Sequence, residues 1–296
     1  MTRLFSLFRH KSYLLRKELL GVWNRTVAFF RKPKLLKKEI NVSEDIPGVG
    51  SKIIWSTLIT SKRQDELEIA YSNLKSLGPV LAWSSLAIDG TAYDLRAFMK
   101  KDYKGGFDNL LWLTQPRVVS RRGYYAGKMG HFNRISLNFL RGWVCNLDQG
   151  EEGSAYLFCH TDGDWKIAIR PESIEPLCRF FHERPFVTAI SRPLDRGLTK
   201  EPNMWPDKKA DKAIWYGTGL LSTNVLIAPI ERIRPLILEA LNIFPRHRAD
   251  LLEKVLGKLV SRKEIAVAYP KLEYFREKFF IDLVETRKPY TVKGIS

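Results

Sequence analysis

The chain has 296 residues, 45% hydrophobic and 12% aromatic, with a formal net charge of +17. That length and apolar content suffice for one large domain or two small ones, and they exclude wholesale disorder. The charge is unevenly placed: residues 1–40 carry eleven Lys/Arg against Glu18 and Glu39, about half the excess, which leaves the rest only moderately basic.

Residues 2–32 interleave Leu4, Phe5, Leu7, Phe8, Leu14, Leu15, Leu19, Leu20, Trp23, Val27, Phe29 and Phe30 with Lys and Arg at roughly helical spacing. An apolar stripe beside a cationic face suits an anionic membrane surface, here through residues 1–38. A helix packed on the body of the protein fits the same pattern, and nucleic acid is the weaker third reading. Pro33 ends the segment, so residues 1–40 form a basic amphipathic helical unit and 41–51, with Pro47, Gly48 and Gly50, a linker. No apolar run reaches the ~18–20 residues that a membrane span needs. Basic residues interrupt every apolar stretch at the N-terminus, unlike a secretory signal. Cys145, Cys159 and Cys178 form no Cys-x-x-Cys pair and read as reduced thiols of a cytoplasmic protein.

Lys52–Ile59 predicts a buried strand, and Gln64–Leu77 an amphipathic helix closed by Gly78. A second strand follows at Val80–Ile88 and ends in Asp89-Gly90-Thr91. This spacing argues a right-handed βαβ unit in a parallel sheet. A helix over Asp94–Lys104 and a short strand over Leu110–Thr114 come next. Arg117–Met129 is a basic loop containing Arg121, Arg122, Gly127 and Lys128, and His131–Cys145 has helical periodicity.

Ala155–Cys159 reads as a buried strand that runs into Asp162-Gly163-Asp164, and Pro171 opens a helix shortly after. Two carboxylates at the end of a buried strand suit a hard divalent cation shared with substrate phosphates, although Asp and Gly are also ordinary turn residues. Pro185–Ile190 is a further strand. Arg192–Ala213 is a long polar segment of the kind that forms functional lids or exposed insertions. An apolar stretch over Ala213–Ile227, broken by Ser222-Thr223-Asn224, precedes helices at Pro229–Leu241 and Arg248–Val260. Ile265–Tyr269 reads as a last strand, and 271–296 as a basic tail on the surface.

In this order and spacing the chain resembles the GT-A fold glycosyltransferases, specifically the inverting family 2 enzymes. The correspondences are IIWSTLITSKRQDELEIAYSNLKSL for the opening strand and helix, Ile88-Asp89-Gly90-Thr91 for the acidic turn, Gly127-Lys128 with Asn133, and Asp162-Gly163-Asp164 followed by Ile169–Leu177. Ala249-Asp250-Leu251-Leu252 keeps only the second acid of the family's Glu-Asp pair. The resemblance implies an α/β fold: a GT-A-like domain over 52–270 with a mostly parallel mixed sheet flanked by helices. Residues 52–191 would form the nucleotide-sugar half and 192–270 the acceptor half.

The resemblance further implies a donor site for a nucleoside-diphosphate sugar, a UDP-sugar being favoured. Asp89, Thr60 and Lys128 would contact the nucleotide, and Asp162 and Asp164 would hold Mn²⁺ or Mg²⁺. Asp250 would serve as the base that activates a saccharide or lipid-linked acceptor. Synthesis of cell-envelope or capsular polysaccharide at the inner face of the cytoplasmic membrane would be the setting. The alternative is a basic nucleic-acid- or membrane-binding protein built on a degenerate, non-catalytic domain of this kind.

Overall fold

A computed structural model describes residues 52–60, 64–90, 92–114, 139–149, 155–192, 203–204, 213–218, 221–243, 252–263 and 265–286. The chain divides into two units, Met1–Ser43 and Glu44–Ser296, and every described residue lies in the second. The basic helix of 1–40, the linker 41–51, the loop 117–129 and most of 192–213 lie outside the described residues.

In chain order the elements are β1 (Lys52–Thr60), α1 (Gln64–Leu77), β2 (Leu81–Gly90), α2 (Ala92–Lys101), β3 (Asn109–Thr114), α3 (139–149), β4 (Ala155–Asp162) and β5 (Trp165–Ile169). Then come α4 (Pro171–Glu183), β6 (Val187–Ser191), β7 (Asn203–Met204), β8 (Ile214–Thr218), β9 (Val225–Pro229) and α5 (Ile230–Ile243). The chain continues through α6 (Leu252–Arg262), β10 (Ala266–Pro270), α7 (Leu272–Phe279) and β11 (Ile281–Glu285).

Among the described residues the main sheet has nine strands, in the order β3-β2-β1-β4-β9-β6-β10-β8-β7. β1 pairs in parallel with β2 and β4, β2 with β3, and β6 with β10. Only β9 and β8 run against this direction. This is the α/β architecture expected from the sequence, a large sheet flanked by helices.

Side-chain alternation along the central strands explains how both faces are covered. Ile54 and Phe158 point to a core shared with Phe139, Leu140 and Trp143 of α3 and with α5 and α6. Ile53, Trp55, Leu157 and Cys159, one residue out of phase, point to a second core built from α1, α4, α7 and the β5–β11 pair. Period-two alternation with both phases apolar is what a strand buried on both faces requires.

The region from 271 corrects the sequence reading. Instead of a surface tail it supplies α7 and β11, with Phe275, Phe279, Ile281 and Leu283 buried in the second core. β11 lies antiparallel to β5 and forms a separate two-stranded sheet with it. The basic side chains of α7, Arg276 and Lys278, occupy the exposed side of a short helix whose other side is aromatic. High charge and deep burial therefore coexist in one segment.

All three cysteines are free, with Cys159 and Cys178 buried and Cys145 exposed. Among the described residues no helix is long and apolar enough to cross a membrane.

Candidate functional site

The strand order places a topological switch between β1 and β4. From β1 the chain winds outward through β2 to β3, then returns to the other side of β1 as β4. In open α/β sheets such a switch opens a crevice at the carboxyl ends of the strands, because the flanking connections diverge there. Three expected site residues reach this edge. Thr60 ends β1 directly opposite Asp89 of β2, and Asp162 ends β4 opposite Leu58 of β1. Thr60 is placed by its backbone register, and Asp89 is half-buried. Lys128 and Asp250 lie outside the described residues.

The Asp162–Asp164 turn is clamped by its backbone. The Asp162 amide donates to the Asn224 carbonyl at 2.8 Å, and the Gly163 amide donates to the Leu58 carbonyl at 2.7 Å. The Asp164 carbonyl accepts from both the amide and the hydroxyl of Thr286, each at 2.8 Å. Gly163 is required by space. A Cβ there would sit 2.9 Å from Glu66 Cβ, closer than carbon tolerates, and a tight 3.0 Å from the Leu58 carbonyl oxygen. The strand β5 that leaves the turn is held in turn by Asn73 of α1. Its amide group donates to the Trp165 carbonyl at 2.8 Å, and its oxygen accepts from the Ile167 amide at 3.0 Å. One buried side chain thus takes the place of a neighbouring strand.

The two carboxylates differ in setting. Asp162 keeps 31% of its side chain exposed, whereas Asp164 is buried. Asp162 shares its face of β4 with the fully buried His160, whose Nε2 lies 3.4 Å from Asp162 Oδ1, a long hydrogen bond. The imidazole is held by the rings of Phe139 and Trp143 of α3, at centroid distances of 4.9 and 5.1 Å. Its Nδ1 has no hydrogen-bond partner among the described residues.

Among the described residues there is no group of three or more His, Cys, Asp and Glu side chains that could hold a metal ion. Asp162 and Asp164 are carboxylates, the oxygen donors that Mg²⁺ and Mn²⁺ prefer, and such ions usually complete their shell with water and phosphates. Asp148 of α3 is engaged elsewhere, accepting from Arg234 of α5 at 2.8 Å.

No protein-family model matches the chain, and no curated protein matches it. Among solved structures it is similar to a mannose-1-phosphate geranyltransferase from Thermus thermophilus. The identity is 11% and the TM-score 0.36, over 80% of this chain and 76% of that one. A likeness at that level carries no functional argument.

Several residues at the edge escaped the sequence reading. β9 runs against β4, so the segment before it, 221–224, lies beside Asp162. Ser191 at the end of β6 donates its hydroxyl to the Ser222 carbonyl at 3.0 Å. Glu253, in the first turn of α6, accepts from the Thr223 amide at 3.2 Å. Burial raises the Tyr269 hydroxyl well above its ordinary pKa. The Glu253 carboxylate adds to that shift and Arg192 opposes it, so these three groups share one electrostatic neighbourhood. The only sequence signals were the polar interruption Ser222-Thr223-Asn224 and an acid in a first helical turn. For Thr286, the alternation of Ile281 and Leu283 with Asp282 was the available signal.

Proposed function

We propose that the protein is a glycosyltransferase that takes a sugar from a nucleoside-diphosphate sugar, first of all a UDP-sugar, to a saccharide or lipid-linked acceptor. The observation that carries this reading is the meeting of Thr60, Asp89 and Asp162 at the carboxyl edge of β1, β2 and β4, at the switch point where such sheets bind ligands. A nucleotide needs a hydrogen-bond acceptor for base or ribose, and Asp89 at the end of β2 supplies one. Its diphosphate needs a counter-charge and a rigid cradle. The clamped turn supplies fixed geometry, with Asp162 reaching solvent.

Asp162 and Asp164 would hold Mn²⁺ or Mg²⁺, which when bound neutralises negative charge on a leaving diphosphate. The acceptor hydroxyl oxygen would form the new bond to the anomeric carbon as the bond from that carbon to the diphosphate oxygen breaks. The electron pair leaves on the nucleoside diphosphate, and the hydroxyl proton goes to a carboxylate base. The resemblance assigns that base to Asp250 and implies inversion at the anomeric carbon. Lys128 near the diphosphate, cytoplasmic-face membrane binding through residues 1–38 and a role in polysaccharide synthesis complete the reading.

The test is thermal unfolding with UDP, GDP, CDP and TDP, each with Mn²⁺ or with EDTA, on the wild type and on Asp162→Ala and Asp164→Ala. A ligand at about 100 times its Kd adds roughly 2.7 kcal/mol to stability, a readable shift in Tm. The expected result is a shift with one diphosphate that EDTA and either substitution removes. Wild-type protein that ignores all four nucleotides with Mn²⁺ present would overturn the proposal.

A further inference from the structure

The loop 221–224 links two parts of the fold that are far apart in sequence, and the same few bonds that hold it reach the Asp162–Asp164 turn. On one side, the Asn224 carbonyl accepts from the Asp162 amide at 2.8 Å. On the other, Glu253 Oε1 accepts from the Thr223 amide at 3.2 Å and from the Thr223 hydroxyl at 3.5 Å. The Glu253 carbonyl accepts from the Leu221 amide at 3.4 Å. Ser222, between these two anchored residues, is itself buried and bonded to Ser191.

We infer that Glu253 is a positioning residue: from the first turn of α6 it holds the 221–224 loop, and through that loop it sets the backbone of Asp162. The role deepens the function proposed above and rests on it for its catalytic meaning.

The chemistry favours this over a purely local role. A carboxylate in a first helical turn already gains from the macrodipole in any direction it points. This one points at a loop amide outside its own helix, and its backbone carbonyl bonds the same loop. Thr223 and Asn224 are adjacent, so a shift of the Thr223 amide moves the peptide group next to the carbonyl that Asp162 uses. The loop is short and precedes a fully buried strand, β9, so it has little freedom to absorb such a shift. What Glu253 supplies is an acceptor at a fixed place, and its charge is secondary. Gln, which keeps an oxygen acceptor on a side chain of the same length, should therefore replace it, whereas Ala should not.

The experiment compares wild type, Glu253→Ala and Glu253→Gln by two readouts on the full chain. The first is hydrogen exchange at the Asp162 amide, followed by NMR, with core amides of β1 and β4 as internal references. Glu253→Ala should speed exchange at Asp162 about tenfold or more while the reference amides keep their protection, and Glu253→Gln should stay near wild type. The second is the Kd for the nucleoside diphosphate with Mn²⁺. Glu253→Ala should weaken it about tenfold, as loss of supporting contacts around ion ligands does elsewhere, and Glu253→Gln should restore it.

Unchanged Asp162 exchange in Glu253→Ala would overturn the inference. So would Glu253→Gln as damaged as Glu253→Ala, because charge or proton transfer would then be the property in use. If wild type binds no diphosphate, the proposed function fails by itself, and the exchange readout still decides whether Glu253 sets the Asp162 backbone.

Discussion

Asp162 donates its backbone amide to the carbonyl of Asn224 at 2.8 Å, across the junction where parallel β4 meets antiparallel β9. This bond extends the β4–β9 ladder one step past Thr161–Val225, so the residue at the mouth of the site is still tied to the sheet. A carboxylate held in this way starts with little backbone entropy to lose on binding a ligand, which is the physical content of preorganisation.

Gly163→Ala should damage the turn more than any other single methyl addition. The new Cβ would press on Glu66 Cβ and the Leu58 carbonyl oxygen, and neither is the loose end of a flexible side chain. We expect a loss of about 1–3 kcal/mol, the usual range for overpacking. Urea unfolding measures that loss, and titration with a nucleoside diphosphate and Mn²⁺ should show weaker binding.

Asn73→Leu removes the side chain that pairs with β5. It leaves the Trp165 carbonyl and the Ile167 amide without their partner in a buried setting. The expected cost is about 2–4 kcal/mol, from two polar groups at roughly 1–2 kcal/mol each. Asn73→Ala in parallel separates loss of the bonds from misfit of the leucine, and both should fall in the same range by chemical denaturation.

Arg232→Met tests the end of α4. The guanidinium donates to the carbonyls of Phe181, Arg184 and Val187 at 3.0, 3.1 and 2.7 Å, and it lies over the Phe181 ring. The carbonyls of Phe181 and Arg184 at the end of α4 and of Val187 at the start of β6 would lose this donor at once, the first two keeping only the Arg184 and Val187 amides, and methionine keeps most of the aliphatic bulk. A drop of about 2–3 kcal/mol is expected in equilibrium unfolding, with binding at the distant β1–β4 edge unchanged in protein that remains folded.

The buried thiol of Cys178 gives stability a dependence on alkaline pH. Burial pushes its pKa from 9.0 to about 12 in the folded protein. Because the folded state holds the proton more tightly, the contribution is complete below pH 9. It declines as the unfolded thiol begins to ionise, and it is lost through about pH 12. Replacing Cys178 with Ala should flatten that part of the stability–pH curve. At pH 8, a maleimide should label the exposed Cys145 in native protein and reach Cys159 and Cys178 only after unfolding.

Much of this fold was legible because its central strands announce themselves locally. Lys52–Ile59 and Ala155–Cys159 are apolar in both phases, so their burial on two faces could be read without knowing their neighbours. The end of β4 could be placed for a related reason: Asp162-Gly163 follows the apolar run by three residues, and a carboxylate-glycine step of that kind marks where a strand leaves the core. The clamps could not be read. Asn73 meets Trp165 and Thr286 meets Asp164 across 92 and 122 residues, and no short pattern encodes a pairing of that separation. The region after 271 was obscured differently. Charged residues of both signs, Lys271, Glu273, Arg276, Glu277, Lys278, Asp282 and Glu285, punctuate it, while its core positions, Phe275, Phe279, Ile281 and Leu283, are few and switch from helical to strand spacing at Phe280. At that switch Phe280 takes a left-handed conformation with φ of 54°, a position where glycine would have been the recognisable signal.

The Thr286 clamp also has a consequence for biosynthesis. Chains emerge N-terminus first, and β1, α1, β2 and β4 can associate as they leave the ribosome. The Asp164 carbonyl, however, must wait 122 residues for its partner, and β5 must wait nearly as long for β11. A nascent or prematurely terminated chain that stops short of Thr286 would carry the strands of the β1–β4 edge with its acidic turn unfastened. Competence to bind at that edge would then arrive late, with the arrival of β11 and Thr286, rather than growing in step with the sheet.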